Sequence, residues 1–261
     1  METRRLALST LGTPELSLAE SARLAAGAGC DGLEIRVHGE VHPGMDHRAA
    51  RKALADGGVE AACLAGYAKV CAPGDDEPVV EELRALIRLA SRLGAPSVRV
   101  FPGGDAPAGP RIAAVLPELR AAGVRLLVET HDSHPTGAAA VRVVESFEEP
   151  ERVAVLWDAL HPWRHGESPA ETRVVVGEYL AYFQVKDVVG VDDTTPVPPG
   201  EGVVPLGECA EVLADWAGWV SLEWERPWYP GLGAVDAALR AAVGWFEGYA
   251  HRSSASLPGA E

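Results

Sequence analysis

The sequence predicts an α/β chain closed into a single (β/α)8 TIM barrel. Two observations carry this reading. Eight short runs rich in Val, Leu and Ile alternate with longer amphipathic runs, and such alternation implies parallel strands joined by crossover helices. The chain has 261 residues, a length at which one closed barrel is the economical arrangement. A third observation counts against the main competitor, a doubly wound open sheet. Such a sheet would be favoured by a G-x-G-x-x-G turn after its first strand, and Thr10-Leu11-Gly12-Thr13-Pro14 has no such pattern.

The strands are expected at 5–9, 32–37, 59–64, 97–101, 124–130, 153–157, 182–186 and 220–224, each bounded by Gly, Pro or Asp. Ser17 caps a helix over 18–28, with Glu20 as the capping-box partner three residues on. Asp75 or Asp76 starts a helix over 79–93, in which Val79, Leu83, Leu86, Ile87 and Ala90 recur at helical spacing. Gly94 ends it and Pro96 stops continuation. Further helices are expected at 110–122, 135–145, 169–179, 208–217 and 233–249. The barrel would occupy 1–251, with 252–261 as a polar tail. The connector 188–205 is long for a compact domain, and such connections are usually functional or mobile. It leaves the seventh strand, so it should overhang the carboxyl-end face of the barrel.

Composition narrows the function classes. With 38 acidic and 23 basic side chains the net charge is −15, which argues against a protein that tracks a phosphate backbone. No run of about 18 apolar residues is present, so no membrane span is expected. Cys30, Cys63, Cys71 and Cys209 form no Cys-x-x-Cys, and the N-terminus has no secretory profile. Reduced thiols in a cytoplasmic protein are the simplest reading.

Chemistry is expected where strands end. Four consecutive strands close on hard polar side chains: Glu129, Asp158, Gln184 and Glu223. Side chains alternate along a strand, so if Val128, Trp157 and Val185 face the helices, Glu129, Asp158 and Gln184 face the axis. Glu223 can occupy the matching place. Three carboxylates packed so closely would repel, and a divalent cation resolves the conflict. Oxygen-rich ligation suits Mn2+ or Mg2+, with Co2+ or Zn2+ also admissible.

These motifs resemble the xylose isomerase-like barrel superfamily. The resemblance rests on Glu-x-His at Glu129 and His131, and on Asp-x-x-His at Asp158 and His161. It also rests on Gln184 two residues before Lys186-Asp187 and on Glu223 closing the last strand. Gly32-Leu33-Glu34-Ile35-Arg36 and Pro205-Leu206-Gly207-Glu208 extend it. The superfamily includes ketose 3-epimerases, hydroxypyruvate isomerase, inosose dehydratase, 3-dehydroshikimate dehydratase and endonuclease IV. One departure is Gln184, where many sugar epimerases carry His; the resemblance to hydroxypyruvate isomerase covers a Gln here. A neutral amide oxygen shifts the expected metal toward Mn2+ or Mg2+.

The resemblance implies an isomerase or epimerase of a small, unphosphorylated sugar or hydroxy-ketone, working by proton transfer through a metal-stabilised enediolate. Glu129 and Glu223 would be the catalytic pair on opposite faces of the substrate, with Asp158 and Gln184 as ligands. His161, His131, Lys186, Glu34 and Arg226 are the candidate substrate contacts. Arg99 lies inside the fourth strand and needs a carboxylate partner, for which Glu34 is a candidate. Trp157, Trp163, Trp224 and Trp228 fall near the expected mouth. The alternatives are dehydration of a cyclic polyol ketone on the same site, or a non-catalytic barrel binding a partner or ligand. An abasic-site endonuclease is disfavoured, because strands three and four offer none of the further histidines of a multi-zinc cluster. Neither a nucleic acid nor a membrane partner is expected, and a homo-oligomer is left open.

Overall fold

The computed structural model describes residues 4–254. Eight parallel strands close into a barrel: β1 (Arg5–Ser9), β2 (Gly32–Arg36), β3 (Glu60–Lys69), β4 (Ser97–Phe101), β5 (Arg125–Glu129), β6 (Val153–Asp158), β7 (Leu180–Val185) and β10 (Trp219–Leu222). Each pairs with its neighbour in chain order, and β10 closes on β1. Between β7 and β10 lies an antiparallel ribbon of β8 (Asp187–Val188) and β9 (Pro196–Val197).

The helices follow the expected caps. In α1 (Leu18–Gly27) Ser17 and Glu20 form the capping box, and α3 (Asp76–Leu93) ends on Gly94 at φ 80°. Between them α2 (His47–Gly57) is a helix that the apolar spacing does not reveal. It buries only Ala50 and Leu54, too narrow a stripe to stand out as a 3.6-residue period. Its caps were the legible signal: Asp46 accepts from the Arg48 and Ala49 N–H groups, and Gly58 takes the left-handed terminus. The remaining helices are α4 (Gly109–Ala122), α5 (Gly137–Val144), α6 (Leu160–Arg164), α7 (Pro169–Val176), α8 (Leu206–Val212) and α9 (Asp236–Ser254). α9 runs three residues into the segment expected as a tail, whose remainder lies outside the described residues.

Burial splits into two layers, as alternation demands. Leu33, Ile35, Val98, Val128, Trp157 and Val185 pack outward against the helices. Ala7, Cys63, Leu127, Leu156 and Tyr182 fill the lower barrel interior. Trp219 seals the floor. A Cβ on Gly32 would approach its ring to 2.7 Å, so β2 must begin with glycine there. All four cysteines are buried free thiols, and burial pushes that of Cys30 up to about 12.

The long connector carries the β8–β9 ribbon and is tied to its origin by one side chain. The Asp187 carboxylate accepts from the backbone N–H groups of Val188, Gly200, Gly202 and Val204 at 2.9–3.0 Å. One buried side chain thereby folds the segment back over its own origin.

Candidate active site

Alternation on the strands stacks two polar layers above the apolar floor. The lower holds Ser9, Glu34, Arg99, Glu129, Asp158, Gln184 and Glu223, all buried. The upper, one step nearer solvent, holds Arg36, Tyr67, Phe101, His131, His161, Lys186 and Glu225. Asp158 and Gln184 are direct register partners on β6 and β7. β10 stops at Leu222, so Glu223 sits just beyond the strand rather than inside it.

Lys186 organises one side. Its ammonium lies 2.8 Å from Asp158 Oδ2 and 2.8 Å from Glu225 Oε1, and also contacts Glu223. Burial works against that charge, but the three carboxylates outweigh it and hold the Lys186 pKa well above its usual value. Asp158 Oδ1 accepts from the backbone N–H groups of Leu160 (2.8 Å) and His161 (3.3 Å) at the start of α6, which leaves Oδ2 facing the cluster.

Arg99 organises the other side, with a different partner from the one expected. Its Nε lies 3.0 Å from Glu129 Oε2, and it donates to the Gly66 carbonyl at 2.9 Å. Glu34 is served by the Gln184 amide, which donates to both of its oxygens at 3.1 Å and reaches Glu223 Oε1 at 3.4 Å. β4 pairs directly with β5, which carries Glu129, whereas Glu34 stands on β2, two strands away across β3. Burial pushes the carboxyl of Glu129 well above the ordinary range. Arg99 opposes this, and Glu223 and Asp158 add to it. Glu34 is raised by burial and by Glu223.

The upper layer is aromatic along one wall. Ring centroids run from Tyr67 to Phe101 (6.0 Å), Phe101 to His131 (4.6 Å) and His131 to His161 (4.4 Å). Burial, reinforced by Lys186, holds the His161 pKa well below its usual value, so the ring is neutral at pH 7. His131 is lowered too, by burial, while Asp132 beside its Nδ1 at 2.8 Å opposes the shift.

Of the expected substrate contacts, His131, His161, Lys186 and Glu34 all reach these layers. Arg226 does not: its guanidinium pairs with Glu15 on the rim. Trp157 packs outward on Phe183, and Trp224 is buried, donating to the Gly233 carbonyl. Trp163 packs against the outer core, and Trp228 alone of the four is exposed at the mouth. Sequence reasoning missed Tyr67 and Phe101, although Phe101 shares the inward parity of Arg99. It also missed Asp132, whose positive φ of 44° turns its carboxylate back onto His131.

The donors fit a hard cation. Gln184 Oε1 is buried with no hydrogen-bond partner among the described residues, while Glu129 Oε2 and Asp158 Oδ2 are buried against the cations Arg99 and Lys186. Five carboxyl groups (Glu34, Glu129, Asp158, Glu223 and Glu225) share the axis with three cations, Arg36, Arg99 and Lys186. Glu129, His131 and His161 form a second set whose donor atoms lie within 4.8 Å of one another. The opposite end of the barrel is less suited to chemistry. A cavity of about 850 Å3 opens there, without the converging buried carboxylates of the other end; in it Arg173 pairs with Asp215 at 3.3 Å.

A family model described as xylose isomerase-like TIM barrel matches residues 22–249. The chain belongs to that family. Among curated proteins no sequence matches it. Solved structures share its fold at low identity. An L-ribulose 3-epimerase superposes with a TM-score of 0.80 at 18% identity, covering 99% of this chain and 100% of its own. The probable 3-DHS dehydratase AsbF of Bacillus anthracis gives 0.78 at 19%, covering 93% and 98%. The IOLI protein, solved with a binding zinc atom, gives 0.73 at 16%, covering 98% and 100%. No helix among the described residues is long and apolar enough to cross a membrane.

Proposed function

We propose that this family member is a divalent-metal-dependent isomerase or epimerase of a small, unphosphorylated sugar or hydroxy-ketone. The supporting observation is that Gln184 Oε1 is buried without a hydrogen-bond partner among the described residues, in the same layer as two carboxylate oxygens that already draw cations, Glu129 Oε2 at 3.0 Å from Arg99 Nε and Asp158 Oδ2 at 2.8 Å from Lys186 Nζ. Glu223 completes the set. Mn2+ or Mg2+ fits these oxygen donors best. Bound there, the ion would supply a Lewis acid for the substrate carbonyl.

Glu129 is the proton-transfer group on one face. It is buried on the axis with Arg99 beside it, where a positioned carboxylate can take a proton from the substrate. Glu223 serves the other face, taking or returning the proton at the carbon alpha to the carbonyl. Asp158 is fixed by the two N–H groups of α6 and does not need to move. Lys186 holds a proton firmly beside Asp158 and Glu223, where it steadies negative charge on a substrate oxygen. Neutral His161 and His131 bind hydroxyls, and the ring wall excludes water. The reading includes a cytoplasmic protein, in keeping with its four free thiols.

A second reading is dehydration of a cyclic polyol ketone, which begins with the same removal of an alpha proton; Lys186, held protonated, would steady negative charge as the hydroxyl departs. One experiment tests both. The protein with Mn2+ is incubated in D2O with a panel of ketoses, inososes and hydroxypyruvate. Deuterium at the alpha carbon with retention of mass otherwise supports isomerisation, and loss of water supports the dehydratase. No exchange with any compound, and no bound metal, would overturn both.

A further inference from the structure

We infer that Arg36 is an anion anchor at the mouth, and that the substrate is a hydroxy-ketone carrying a carboxylate. The inference deepens the proposed function and rests on it for the chemistry, though not for the binding. Arg36 ends β2 with the same inward parity as Glu34, so it stands one layer above the carboxylate cluster. Its Nε donates to the Tyr67 hydroxyl, and its guanidinium lies 5.4 Å from the Tyr67 ring centroid and 5.2 Å from that of Trp228. Its backbone N–H is fixed by Thr10 Oγ1 at 2.9 Å.

What sets it apart is the partner it does not have. Arg99 and Lys186, the other cations on the axis, each engage carboxylates. Among the described residues Arg36 pairs with none. The nearby acids are committed elsewhere: Glu15 to Arg226, and Glu40 to the Leu18 N–H. An arginine held between two aromatic faces keeps its planar fork in place while its outer N–H groups stay available, a geometry matched to a carboxylate. Trp228 is 57% exposed, although its ring is large and apolar. An incoming ligand would cover it, and the cation it flanks selects the charge of that ligand. A neutral sugar gives neither feature a purpose. An anionic substrate needs such a cation, because it must approach a layer in which carboxylates outnumber cations.

The test uses benzoate and benzamide, which share shape but differ in charge, titrated by ligand-observed NMR into the full chain with Mn2+ present. The expected result is that benzoate binds about tenfold more tightly than benzamide. Arg36→Met should remove that preference while leaving benzamide binding unchanged, and Arg36→Lys should restore part of it. Glu129→Gln should keep the preference although it abolishes turnover, which separates failure of the anchor from failure of the catalytic reading. Equal binding of the two probes, no binding of either, or an unchanged preference in both Arg36 variants would overturn the inference.

Discussion

At the scale of single residues, the site balances charges that would be intolerable apart. Lys186 is the clearest case, since Asp158, Glu223 and Glu225 all depend on it. Lys186→Met should destabilise the metal-free protein by about 3–5 kcal/mol, the usual cost of breaking a buried ion pair by removing one partner. Added Mn2+ should recover much of the loss, because it supplies the missing positive charge. Thermal melts of wild type and variant in EDTA and in Mn2+ check this, and an equal loss in both would contradict it. Glu129→Gln keeps the shape and removes the acid–base function together with one charged ligand of the ion. Alpha-proton exchange should fall by about 10²–10⁴-fold, the usual contribution of a positioned acid–base group. A rate within a few-fold of wild type would remove Glu129 from the mechanism.

The elements place these residues, and one glycine-dependent feature shows how. Asp187 gathers four N–H groups, and a Cβ on Gly202 would fall 2.2 Å from the Val188 carbonyl oxygen and 2.3 Å from Asp187 Oδ1. Asp187→Ala and Gly202→Ala should therefore each free the connector 188–205. Unsatisfied buried N–H groups cost about 1–3 kcal/mol apiece, so Asp187→Ala should cost at least that. Hydrogen exchange should accelerate over this segment while the barrel strands stay protected; unchanged exchange would show that other contacts hold it. The connector also marks where sequence reading stops. Its length was visible, but an aspartate folding it back has no local signature, because three of its four partners lie 13–17 residues away. The strands were legible because the barrel buries both of their faces, so each reads as a short run rich in Val, Leu and Ile. α2 was not, since a helix resting on Ala50 and Leu54 has little apolar face to display. In the site, inward parity brought Glu129, Asp158, Gln184 and Lys186 into reach. It could not say that Arg99 would choose Glu129 over Glu34, because that choice depends on side-chain reach between strands.

Across the whole molecule, the acidic balance has two components. Most of it is solvated, and a small part is concentrated on the barrel axis, where burial raises the pKa values of Glu34, Glu129 and Glu225. Each of these carboxyls binds a proton more readily folded than unfolded. Their contribution to metal-free stability is greatest below the ordinary carboxyl pKa and is lost as pH rises through the raised one. His131 and His161 act in the opposite sense, losing stability as pH falls below about 6.5. A cation needs the carboxyls deprotonated and the imidazoles neutral. The rise in melting temperature on adding Mn2+ should therefore grow from about pH 5 to about pH 8. A rise that shrinks with pH would place the ion elsewhere.

The most direct measurement is a calorimetric titration of Mn2+ into the wild-type chain and its single variants. The account predicts one site per chain, with affinity reduced by at least about tenfold in Asp158→Asn and in Glu223→Gln, because each loses a charged ligand. It also predicts that His131→Ala leaves binding nearly intact. No binding to the wild type would contradict the account. So would binding that survives both carboxylate changes and disappears in His131→Ala, since the ion would then sit on Glu129, His131 and His161 instead.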